Sequence, residues 1–116
     1  MSGPLEASTP LLLVETRMTR RPGSDSNGAP FSEPTIQTVW TKAREFPNHD
    51  KSTWRRDICG QVMKRAEHGN TSSAHGWQID HIRPVSSGGS DHISNLQPLQ
   101  WQNNRKKGDT YPWHCP

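Results

Sequence analysis

The residues best suited to chemistry in this 116-residue chain gather towards its end. Asp80 stands directly before His81; Gly88 and Gly89 follow, then Asn95, Asn103 and Asn104, and finally Arg105, Lys106 and Lys107. An imidazole has an unperturbed pKa near neutrality, so His81 can take a proton from water. Asp80 is a hard anionic oxygen donor and Asn104 a neutral one, the donor types that suit magnesium or manganese. Asn103 competes with Asn104 for that place. Adjacent strand residues face opposite ways, so a strand carrying Asp80 and His81 must twist or bulge to bring both to one site. Of the remaining histidines, His49, His68, His75 and His114 read as solvated and His92 as a loop residue. Asp91 reads as a turn cap ahead of a further ligand. Asp57 reads as structural, capping the bend at Cys59-Gly60 or pairing with an arginine.

The elements that must position these groups are short. Trp77 to Ile82 alternates in character and reads as a strand stopped by Pro84, with a Gly/Ser loop after it. Leu96 to Leu99 can pair back as a second strand, Pro98 confining it to an edge. Gln100 to Lys107 reads as a helix capped by Gly108, its last turn basic in keeping with the helix dipole. Upstream, Ile36, Val39, Trp40 and Ala43 fall on one face of a helix spanning Thr35 to Phe46, between Pro34 and Pro47. Trp54 to Arg65 reads as extended, with a bend at Gly60. Residues 1–34 hold Pro4, Pro10, Pro22, Pro30 and Pro34 and no period, and read as a flexible tail. Met18 reads as a plausible alternative start.

Composition agrees with one small domain. The hydrophobic fraction is 28%, near the disordered range, but five tryptophans supply large apolar area, all from Trp40 onward. Residues 51–109 carry nine basic against five acidic side chains, which suits a polyanionic partner. Cys59 and Cys115 form no CxxC pair, so no zinc knuckle is readable, and they read as two reduced thiols. Leu11 to Val14 is too short for a membrane span and lacks the basic lead-in of a signal peptide, which points to the cytoplasm.

Asp80-His81-Ile82-Arg83-Pro84, then Gly88-Gly89, Asn95-Leu96, and Asn104 with Lys107-Gly108 together resemble the HNH endonuclease signature. The resemblance covers roughly residues 77–109 and extends back through Trp54-Arg55-Arg56-Asp57 and Cys59-Gly60, as in small phage and bacterial members. It implies an α+β fold with a ββα-metal core, in a domain spanning 35–113, and divalent-metal-dependent hydrolysis of phosphodiester bonds in DNA. It implies His81 as general base, and Asp80 and Asn104, rather than Asn103, as ligands of one Mg2+ or Mn2+ ion. Asn95 is implied as a catalytic-site residue that positions the His-bearing strand through backbone hydrogen bonds. Arg55, Arg56, Arg83, Arg105, Lys106 and Lys107 become candidate contacts to DNA phosphates.

The chain departs from the commonest family pattern in two ways. The final ligand is Asn104 rather than histidine. The cysteine pairs that hold a structural zinc in many members are missing, the second pair being replaced by Gln100 and Asn103, so no structural zinc is expected and packing by Trp54, Trp77 and Trp101 must support the site. Two other readings stand beside the enzyme: a non-catalytic DNA-binding module of the same fold, and a nuclease subunit active only in a larger assembly. No membrane partner is expected, and oligomeric state is left open.

Overall fold

The computed structural model describes residues 20–116; the Leu11 to Val14 run and the Met18 start lie outside them. A first helix, α1 (Glu33–Trp40), begins two residues before Thr35 because the Ser32 side chain accepts a hydrogen bond from the Thr35 amide and Pro34 sits in the first turn. It buries Ile36, Val39 and Trp40 and stops well short of Phe46. The reason is a competing ladder: Arg44–Glu45 (β1) pairs antiparallel with Trp54–Arg56 (β2), which pairs in turn with Val62–Lys64 (β3). The β2–β3 reversal passes through Gly60 at φ 87°, a left-handed conformation that glycine adopts without strain.

The second sheet is a two-stranded antiparallel ribbon of β4 (Trp77–His81) and β5 (Leu96–Gln100), running straight into α2 (Trp101–Lys107). The pairing is one-to-one from Trp77↔Gln100 to His81↔Leu96, so the strand carries no bulge. In a two-stranded sheet every strand is an edge, which is why Pro98 fits β5. The result is the α+β fold expected, with strand, loop, strand and helix in order.

The core lies between α1 and the two sheets and is built from Ile36, Val39, Trp40, Met63, Trp77, Ile79 and Leu96. Trp40 and Trp77 tilt against each other with ring centroids 5.2 Å apart, a geometry worth about 0.5–1.5 kcal/mol beyond area burial. Their buried N–H groups donate to the carbonyls of Lys51 and Lys64. Trp54, Trp101 and Trp113 are only half-buried.

Two expectations are corrected. Residues 20–34 are folded onto the domain: Ser24 is buried, Phe31 packs against the core, and Ser26 hydrogen-bonds to Asp91. A segment without periodicity need not be a tail when its polar groups find partners. Gly23, at φ 80°, runs so close to β4 that a Cβ there would sit 3.2 Å from the Gln78 Cβ. The cysteines are also paired: Cys59, in the β2–β3 turn, is bonded to Cys115, with their Cα atoms 5.5 Å apart. A sequence separation of 56 residues hides such a pair from any spacing motif.

Candidate active site

Asp80 and His81 end β4, where the chain leaves the ladder for the 82–95 loop. Asn95 ties that loop shut. Its Oδ1 accepts from the Arg83 amide at 2.9 Å, and its Nδ2 donates to the carbonyls of Arg83 and Ser90. A further bond, from the Ile82 amide to the Asn95 carbonyl at 2.8 Å, holds the loop ends together. Gly89 permits the tight return, since a Cβ there would fall 1.7 Å from the Arg83 carbonyl oxygen.

The His81 ring is buried beside Phe31, with centroids 5.9 Å apart, and its Nε2 lies 2.8 Å from Asp91 Oδ1. Asp80 is only 6% exposed. Its Oδ1 pairs with the Lys107 ammonium at 3.2 Å and its Oδ2 accepts from Gln97 Nε2 at 2.9 Å. Burial pushes this carboxyl above the usual carboxylate range; the Gln97 hydrogen bond and the Lys107 charge oppose that without cancelling it. Asn104 donates through Nδ2 to Gln78 Oε1 at 2.8 Å, and its Oδ1 takes no hydrogen bond among the described residues.

Asp80, His81, Asn104 and Gln78 line one cavity of about 620 Å³, with Arg21 and Arg105 also in its wall. Asn103 points elsewhere: it is buried and donates to Asp57 Oδ2 at 3.0 Å. Neighbouring asparagines on one short helix thus divide the work, one bracing and one facing the cavity. The donor set fits a hard divalent cation. An ionised carboxylate has about four lone-pair positions, of which Asp80 uses two, and Asn104 Oδ1 is a free neutral oxygen. No group of three or more His, Cys, Asp or Glu side chains suited to a metal occurs among the described residues.

The basic residues divide differently from expectation. Arg55 is 8% exposed and donates to the carbonyls of Lys51, Thr41 and Ala43, tying α1 to the first sheet. Lys107 is 3% exposed and donates to the His81 carbonyl as well as pairing with Asp80. Burial among carbonyl partners keeps both from being presented to a phosphate, and the sequence shows charge but not burial. Arg105 and Lys106 are exposed, Arg105 lying over the Trp101 ring at 4.8 Å. Arg83 is exposed and donates to the Ser87 carbonyl, and Arg56 lies over Phe46 at 5.2 Å.

Sequence reasoning missed Asp91 as the partner of His81, Gln97 and Lys107 as partners of Asp80, and Arg21 on the cavity wall. Only the β4–β5 register could have signalled Gln97, which lies directly across from Asp80. His68 is half-buried rather than fully solvated: it packs edge-on against Trp77 at 4.8 Å, and burial, helped by the Arg65 charge, pushes its pKa down. Asp57, read as a bend cap, accepts the amides of Cys59 and Gln61 as expected and also reaches across to Gln100 and Asn103.

No helix among the described residues is long and apolar enough to cross a membrane. No match was found among curated proteins or among solved structures. The HNH endonuclease family model matches residues 58–110, just under half of the chain. This segment, which holds β3, β4, β5, α2 and all of Asp80, His81, Asn95 and Asn104, is similar to the HNH endonuclease family.

Proposed function

We propose that this cavity hydrolyses phosphodiester bonds in DNA, with Asp80 and Asn104 holding one Mg2+ or Mn2+ ion and His81 acting as general base. The observation that supports it best is the convergence of an anionic oxygen, a free amide oxygen and an imidazole on one cavity, beside a loop pinned by Asn95. A bound divalent cation supplies positive charge that offsets the negative charge developing on the phosphate and the departing oxygen. His81 takes a proton from water; the water oxygen bonds to phosphorus, and O3′ leaves with the bonding pair and takes a proton from solvent. Asn95 keeps the strand end and the loop in register while this happens. Arg105 and Lys106 contact flanking phosphates, with Arg83 and Arg56 as outer contacts that set position rather than sequence.

The reading puts the catalytic unit at residues 35–113 together with the folded segment 20–34. It does not carry the cytoplasm with it: that expectation rested on the lack of a signal-peptide pattern around Leu11 to Val14, and a disulfide persists in oxidising surroundings. One observation favours the rival reading of a non-catalytic DNA-binding module, namely that Asp80 is already paired with Lys107. Supercoiled plasmid separates the two readings. The nuclease converts it to nicked or linear forms with magnesium or manganese and not with chelator; a binding module shifts its mobility and leaves it intact.

A further inference from the structure

Two residues outside the proposed reaction, 65 positions apart, meet beside the His81 ring. Asp91 Oδ1 faces His81 Nε2 at 2.8 Å. The same carboxylate accepts from the Ser26 amide at 2.9 Å and from the Ser26 hydroxyl at 2.7 Å. Ser26 is itself held in a closed turn, because Asp25 Oδ1 accepts from the amides of Asn27 and Ala29 and the Asp25 amide donates to the Ala29 carbonyl. A carboxylate that already receives an N–H and an O–H is an acceptor, so the imidazole nitrogen facing it carries the hydrogen. Among the described residues Nδ1 has no hydrogen-bond partner, and in that tautomer it holds the free lone pair.

We propose that Ser26 and Asp91 are positioning residues for catalysis: the Ser26 turn holds the Asp91 carboxylate, and Asp91 holds His81 in the Nε2–H tautomer, leaving Nδ1 to take the proton from water. This rests on the nuclease reading above. The proton moves from the water O–H to Nδ1, the Nε2–H stays bonded to Asp91, and the resulting imidazolium gains a carboxylate neighbour that stabilises its charge. The 20–34 segment is then part of the active site rather than an appendage to it, and Phe31 closes a further side of the ring.

The test uses the full-length chain. Long-range 15N–1H spectra of the neutral His81 ring should show the Nε2–H tautomer in wild type and a mixed or Nδ1–H ring in Asp91→Ala. In single-turnover plasmid cleavage, Asp91→Ala should lose about 10²-fold in rate with DNA affinity unchanged. Ser26→Ala should lose about fivefold, the worth of a typical hydrogen bond, and Ser26→Thr should recover the rate by restoring the hydroxyl. An Nδ1–H ring in wild type overturns the proposal, as does a wild-type rate in folded Asp91→Ala or a loss confined to DNA affinity. If Asp91→Ala does not fold, the wild-type spectrum and the Ser26 pair decide. A wild type that cuts no DNA with any metal sinks the nuclease reading instead, and the spectrum still settles the His81–Asp91 pairing.

Discussion

The two ends of α2 each bury an aspartate, and the two are used in opposite ways. At the start of the helix Asp57 accepts four N–H groups, from Cys59, Gln61, Gln100 and Asn103, all within 3.0 Å. This bonds the β2–β3 turn to the first turn of α2, through the Gln100 amide and the Asn103 side chain. A carboxylate there also complements the positive end of the helix dipole. Towards the other end Asp80 has two partners, Gln97 and Lys107, and opens onto the cavity. What separates brace from working group is saturation. A carboxylate with every lone pair used has no capacity for a ligand, whereas one with spare lone pairs and a raised pKa is poorly satisfied by the fold alone.

The largest effect expected from this contrast is at Asp80. Asp80→Ala should lower cleavage by more than about 10³-fold and also destabilise the fold by about 3 kcal/mol, because the buried Lys107 ammonium loses its counter-charge. The double change Asp80→Asn with Lys107→Met should restore the urea midpoint without restoring cleavage. Recovered cleavage would break the contrast, making Asp80 a brace like Asp57.

Reduction of the Cys59–Cys115 bond comes next. Opening a crosslink that spans 56 residues should cost up to about 4 kcal/mol on the chain-entropy model. Because Cys59 belongs to the Asp57 turn, the loss should appear in unfolding by urea, while cleavage by the protein that stays folded is unchanged. A cleavage rate that falls with reduction while the protein remains folded would mean the two ends of the helix are not independent.

Asp57→Asn is milder. The new amide nitrogen opposes donors already aimed at the site, which should cost about 2–3 kcal/mol in denaturant titration and leave cleavage per folded molecule near wild type. The smallest effect is at the surface. Lys106→Glu should weaken binding to all DNA sequences alike and reduce the slope of log K against log salt by about 1. A changed sequence preference with the slope intact would assign Lys106 to base contact.

The same contrast explains what the sequence made legible. The β4–loop–β5–α2 order is written locally, in the alternation of Trp77 to His81, the Gly88-Gly89 pair and the helix formers after Gln100, and local pattern is what a reader can see. Asn95 and Asn104 came from motif spacing, and the structure ties the first across its loop and turns the second to the cavity. The rest depends on contacts between distant residues. The Ser26–Asp91 bonds, the Cys59–Cys115 bond and the bridge from Asp57 to Asn103 join positions 65, 56 and 46 apart, and no period or motif encodes them. Burial was equally invisible for Arg55 and Lys107, whose charges read as surface although both side chains bind carbonyls inside the fold.

The central claim is that His81 does chemistry at this cavity, and His81→Ala tests it most directly. Single-turnover cleavage of supercoiled DNA with magnesium should slow by about 10²–10⁴-fold, the usual contribution of a positioned general base, while affinity for DNA in the presence of chelator stays within a factor of about two. Near wild-type cleavage by a folded His81→Ala protein would contradict the account.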